Sequence, residues 1–295
     1  MPAPFRPAAI LAAALVAFAA APTVAQPAAD CRAVLAAFPV RPAEASAEIV
    51  PDGPDGCRFG RMRFALGGPA GYEVASVLVR GFPLAGPPRD LRVEARGIVL
   101  SLRTGTAVDW VTAQARVPFD VIVDLSYDAA ARRLTLREAS LSGEALGRVS
   151  LDGVAEGVEF AGAVPDPTLG ERVGLRALRV RMAGRRWVQE FLLPTLTSFL
   201  PNENTGAAVE AAKGAAETLA RDLLPRAGAT GATVEAVAAT IRDFPQPRHP
   251  LALDVTVRDG PPLTLGELVG GTGPDRLAAL LPRLRVEATY EGDFP

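Results

Sequence analysis

Val117-Pro-Phe-Asp-Val-Ile-Val-Asp-Leu-Ser-Tyr127 decides how this sequence folds. Val117, Phe119, Val121, Val123, Leu125 and Tyr127 fall on one side of an extended chain, and Asp120, Asp124 and Ser126 on the other. Side chains of a strand alternate between two faces, so this spacing predicts a β-strand with one face buried. The same alternation continues downstream. After the turn Asp128-Ala-Ala-Ala131, Leu134 and Leu136 alternate with Arg133, Thr135 and Arg137; Ala139-Ser-Leu141, a turn at Gly143 and Val149–Gly153 follow, and Val158 and Phe160 close the run. Short turns between one-sided strands are the signature of an antiparallel meander.

Upstream, the apolar set in 91–102 is Leu91, Val93 and Ala95, then Ile98, Leu100 and Leu102. The phase flips at Gly97, which predicts a β-bulge there. Tyr72–Phe82 reads as another strand, as do Gly60–Phe64 and Ala45–Ile49, the last two separated by the turn Pro51–Gly56. Leu178, Val180 and Met182 extend the β-rich region to 45–182.

The region 186–244 changes character. Trp187–Leu200 carries one charge, Glu190, and Pro194 must interrupt or kink a helix there. Trp187, Phe191, Leu192, Leu193, Leu196, Phe199 and Leu200 surround nearly every side of such a helix. A segment apolar all round is buried in a core or faces lipid or a partner. Trp187, Phe191, Leu192, Leu196 and Phe199 are therefore candidate contacts for a hydrophobic ligand or partner, and Arg185-Arg186 just before them suits an anionic headgroup.

A helix is predicted over Ala207–Leu224, with N-cap candidates in Asn202–Gly206. Val209, Ala212, Ala216, Ala220 and Leu223 form its apolar face, and Glu210, Lys213, Glu217 and Arg221 a charge ladder on the other side. Another spans Thr233–Phe244, with Thr233 as its cap and Val234, Val237, Ile241 and Phe244 inward. Residues 251–295 are mixed: strands at Leu251–Val257 and Arg285–Tyr290, with a brief helix at Asp275–Leu281. Strands, then helices, then strands give an α+β fold: a curved antiparallel β-meander, a helical layer from the second half, and closing strands at the C-terminus.

Before all of this stands an export signal over residues 1–25. Arg6 supplies the positive region, Ala8–Ala20 the apolar one, and Thr23-Val-Ala25 the small residues for cleavage near Ala25. The apolar stretch is short for a membrane span, which needs about 20 residues. No later apolar run is long enough either, so no transmembrane segment is expected in the mature chain. The expected organisation is one α+β domain over 26–295 in the periplasm or outside the cell. In that setting Cys31 and Cys57, the only two cysteines, are expected to form a disulfide that ties a short helix at 28–38 to the strand beginning at Cys57.

Composition narrows the function. Of 295 residues, 49% are hydrophobic and 22% charged, and the formal net charge is −2. There is no basic surplus for nucleic acid. One histidine, His249, would have to serve any Ser-His-Asp triad, and it sits between Arg248 and Pro250 in a strand entry. No nucleophile elbow, zinc-protease helix, phosphate loop or dinucleotide fingerprint occurs. Asp52-Gly-Pro-Asp55-Gly lacks the ligand alternation and terminal Glu of a calcium loop and reads as a β-turn. Asp120 and Asp124 lie about 13 Å apart along a strand, too far for paired carboxylates, and read as solvated polar-face residues. The expectation is no catalytic residues, no metal and no cofactor.

Arg132-Arg-Leu-Thr-Leu-Arg-Glu-Ala-Ser-Leu-Ser-Gly143, continuing through Leu146-Gly-Arg-Val-Ser-Leu-Asp-Gly153, resembles the strand–turn phrase of AsmA-like periplasmic proteins. The resemblance covers about 60 residues of alternating pattern and implies a grooved, curved β-sheet associated with lipid transport. Region 187–244 departs from that family's long repetitive β-groove. The chain is also similar to uncharacterised secreted proteobacterial proteins. No binding residue is carried over from either. The reading is an exported non-enzymatic binding protein for lipid or another hydrophobic ligand. The alternative is an envelope structural or protein-interaction partner, and behind both stands a hydrolase with an unrecognised carboxylate site.

Overall fold

The computed structural model describes residues 30–38, 42–45, 48–67, 70–84, 86–102, 105, 107, 109, 117–161, 164–165, 173–184, 186, 206–264, 266–267 and 279–294. Residues 1–25, expected as an export signal, Trp187–Leu200 and most of the predicted 275–281 helix lie outside these residues. Among those described, no helix is long and apolar enough to cross a membrane. They fall into two compact units, an N-terminal one reaching residue 145 and taking in 158–169, and a C-terminal one built from 146–157 and 170 onward.

The N-terminal unit begins with helix α1, Cys31–Ala36. Asp30 caps it, its carboxylate accepting from the Arg32 and Ala33 amides at 3.1 and 3.2 Å, which satisfies two of the donors a helix start leaves open. The strands are β1 (Glu44–Ala45), β2 (Ile49–Pro51), β3 (Gly56–Phe59), β4 (Met62–Gly67), β5 (Ala70–Val74), β6 (Ser76–Arg80), β7 (Asp90–Leu102), β8 (Phe119–Asp128) and β9 (Arg133–Gly143). They pair antiparallel in the order β1-β4-β5-β7-β8-β9, with β6, β3 and β2 branching from β7.

That branch is the work of Gly97. The β7–β8 register shifts between Ala95 and Ile98, and Gly97 takes φ +61°, so the expected bulge is present. Before it, Arg92–Arg96 pair with β6; after it, Val99–Leu102 pair with β5. The stretch Tyr72–Phe82, expected as one strand, breaks at Ala75 for the same reason. Ala75 donates its amide to Arg96 O at 2.9 Å opposite the bend, and a Cβ on Gly97 would come within 2.9 Å of the Ala75 Cβ. Only glycine combines that φ with that approach.

The core of this unit gathers Phe59, Met62, Val77, Val79, Leu91, Val123 and Leu125 under α1. Phe59 is 1% exposed and meets Phe38 edge-on, ring centroids 5.4 Å apart. Val158 and Phe160 do not close the meander as expected. Val158 donates to Arg132 O, Phe160 lies edge-on to Tyr127 at 4.6 Å, and the pair β11 (Phe160–Ala161) and β12 (Val164–Pro165) forms its own small ladder. The strand numbered between them and β9, β10 (Gly147–Glu156), belongs to the other unit.

In the C-terminal unit β10 pairs with β13 (Gly174–Ala183), β13 with β14 (Leu251–Val257) and β14 with β16 (Leu284–Tyr290), all antiparallel; β15 (Leu263–Thr264) joins β13. Helix α2, Gly206–Leu223, runs through a 3-10 turn into α3, Gly231–Asp243. The cap of α3 is Thr230 instead of Thr233: its hydroxyl accepts the Thr233 amide at 3.2 Å. Thr233 is itself buried inside the helix; its Oγ1 accepts from the Thr230 hydroxyl at 3.2 Å and from the Ala288 amide of β16 at 3.4 Å.

The inward face of α2 matches the expected one only in part: Val209, Ala220 and Leu223 are half-buried. Lys213 and Glu217 sit on its half-buried side while Ala212 and Ala216 are exposed. Arg221 binds Glu217 and Glu235, and Arg242 binds the same two carboxylates, so four charges join α2 to α3. The partner charges on α3, invisible to a single-helix pattern, select the face.

Candidate functional site

Three rows of side chains cross the C-terminal sheet on one face. Val149, Met182, Leu251 and Tyr290 stand opposite one another, then Leu151, Val180, Leu253 and Ala288, then Gly153, Leu178, Val255 and Val286. Directly opposed residues share a face and pack as cross-strand pairs. Helix α3 packs on β16, where Val286, Ala288 and Tyr290 are buried together with Val234 and Ala238. Across β10, β13 and β14 the eight apolar residues are only half-buried. One end of the first row is fixed by polar contacts: the Tyr290 hydroxyl donates to Asp243 at 2.9 Å and accepts the Arg248 amide at 2.7 Å, and burial raises its pKa. The His249 ring stands edge-on to Tyr290 and its Nδ1 lies 2.8 Å from Gly292 O, so the lone histidine shapes a strand entry.

The reverse face is polar. Asp152, Arg179, Asp254 and Glu287 form one row, and Arg179 bridges the two aspartates beside it. The sheet therefore offers one apolar and one ionic side. In the N-terminal unit the apolar side carries the buried core, with Phe64, Tyr72, Phe119, Val121, Leu134 and Leu136 half-buried around it.

The disulfide expected from sequence is formed: Cys31 and Cys57 are bonded with Cα atoms 5.4 Å apart, and it joins α1 to β3. Trp187, Phe191, Leu192, Leu196 and Phe199, the candidate hydrophobic contacts, lie outside the described residues. The apolar face of β10, β13 and β14 was hidden in the sequence as separate short alternations. Register, which the sequence does not state, aligns them into rows.

The acidic residues bind arginines. Asp52 accepts from Arg80 and Arg58, and these bonds hold its carboxyl below the usual range. Its turn, between β2 and β3, is thus ion-paired and closed by the Asp52 amide donating to Gly56 O at 2.8 Å. Asp120 accepts the Gly97 amide at 2.8 Å, serving the bulge, and Asp124 takes Arg92 and Arg137; neither is a merely solvated residue. Glu94, 8% exposed, is held by Arg92 and Arg96, which depress its pKa. A general acid needs the opposite shift. Among the described residues no group of three or more His, Cys, Asp or Glu could hold a metal ion.

Glu94 makes a testable statement about acid stability. A carboxyl whose folded pKa lies below its unfolded value adds stability above that unfolded value, near pH 4.3, and loses it as pH falls through the folded one. Glu94→Gln is expected to lower stability by about 1–3 kcal/mol at neutral pH and to flatten the loss below about pH 4.3. Urea melts at pH 7 and pH 3 measure both. An equal loss at the two pH values contradicts the assignment.

No known family, no characterised protein and no solved structure matches the chain.

Proposed function

We propose that this is an exported, non-enzymatic binding protein that takes a lipid or another hydrophobic ligand against the apolar face of its C-terminal sheet. The observation that carries the reading is the set of eight half-buried apolar side chains on β10, β13 and β14, from Val149 to Val255. An apolar surface of this kind gains free energy when an acyl chain replaces water, roughly 25 cal/mol per Å². The opposed ionic face fixes which side the ligand meets. The Cys31–Cys57 disulfide suits an oxidising compartment, in keeping with the signal-like residues 1–25. The AsmA-like phrase in 132–153 is consistent with the same class of ligand.

A fluorescent fatty acid titrated into the full chain tests it. Val180, at the centre of the middle row, is the position to change. Val180→Asp is expected to weaken binding at least about tenfold, since burying a charge against the acyl chain opposes it. Leu151→Gln, nearer the β10 side, gives a milder loss and guards against a folding failure. Binding unchanged in both variants, or no binding by the parent chain, contradicts the proposal.

A further inference from the structure

β16 is the outer strand of the C-terminal sheet, pairing among the described residues with β14 alone. Its outward peptide groups follow from the ladder. Arg258 N–H donates to Arg283 O, so this opposed pair and every second one after it (Thr256–Arg285, Asp254–Glu287) bond between the strands. Leu284, Val286 and Ala288 then turn their N–H and C=O groups away from β14. Two of these residues have an outward group occupied: Arg258 Nε donates to Leu284 O at 2.9 Å, and the Ala288 amide donates to Thr233 Oγ1. Between them, the Val286 amide and carbonyl take no partner among the described residues.

A cavity of about 430 Å³ opens at that point, lined by Gly228, Thr230, Arg258, Arg285, Val286 and Glu287. It lies within the volume range of small-ligand clefts, roughly 300–1,000 Å³. Two guanidiniums flank it. Arg258 uses Nε and Nη2 on the Leu284 and Ala227 carbonyls, which leaves N–H groups and fixes its plane. Gly228 makes room for it: a Cβ there would fall 2.2 Å from Arg258 Nη2. Among the described residues Arg285 pairs only with the neighbouring Glu287 and keeps donors to spare.

We propose that this cavity captures the C-terminal end of an extended peptide. The Val286 N–H donates to a peptide carbonyl, the Val286 C=O accepts a peptide N–H, and the terminal carboxylate accepts from Arg258 and Arg285. A single open peptide unit on a strand edge supports one strand-like residue pair, and the arginines supply the bidentate anchor for the end. Glu287 competes with the ligand for Arg285.

The test is an amide chemical-shift titration of the full chain with acetyl-Ala-Val-Ala as the free acid. The Val286 and Thr230 amides are expected to shift. The C-terminal carboxamide should bind at least about tenfold more weakly, for loss of a charge-assisted pair. Arg285→Gln should weaken the acid, and Glu287→Gln should strengthen it. Arg285 is exposed and outside the sheet ladder's packing, so this variant remains informative if Arg258→Gln fails to fold. Equal affinity of acid and carboxamide, an unmoved Val286 amide at roughly 10 mM peptide, or inorganic phosphate matching the peptide's shifts overturns the proposal.

Discussion

Phe59→Ala is expected to destabilise the N-terminal unit by about 3–5 kcal/mol. Phe59 is 1% exposed on β3, stands opposite Val77 on β6, and receives the Phe38 ring edge-on from the chain just beyond α1. Truncation removes the transfer free energy of the ring and leaves a cavity between a helix and a sheet that cannot both relax into it. Against a total stability of roughly 5–15 kcal/mol for a domain, the loss is large. Urea denaturation followed by near-ultraviolet circular dichroism measures it. A loss below about 1 kcal/mol would mean that α1 does not pack on β3.

Cys31→Ala with Cys57→Ala is expected to remove about 3–3.5 kcal/mol. The two residues are 26 apart in sequence, so the bond closes a loop of 27 residues, and its effect falls on the unfolded chain. Cys57 is buried on the same strand as Phe59, two residues away, and Cys31 opens α1. Both changes release the same helix, so their combined cost should fall short of the sum. Hydrogen exchange adds a local readout: protection of Val34 and Leu35 should drop most. Strict additivity, or unchanged protection of α1, contradicts a shared role.

The parts legible in the sequence were those set by local chemistry. Val121, Val123 and Leu125 alternate on β8 as their period required, Gly97 bends β7, and Cys31 meets Cys57. What stayed hidden depended on partners distant in sequence. Thr233 has the chemistry of a cap, yet Thr230 takes that position and Thr233 serves Ala288, 55 residues on. Ala212 and Ala216 of α2 fit its inward face by spacing, yet Glu235 and Arg242 draw Glu217 and Arg221 toward α3. The candidate site was fragmentary for the same reason. Leu151, Val180 and Leu253 are each ordinary alternating residues, and only strand register makes them one row.

The central claim is that this row and its neighbours hold a hydrophobic ligand. Native mass spectrometry of the full chain, purified without detergent and mixed with a fatty acid, tests it most directly. The account predicts an adduct of one fatty acid per chain that is lost in Val180→Asp. A spectrum showing the bare chain alone, or an adduct that persists in Val180→Asp, contradicts it.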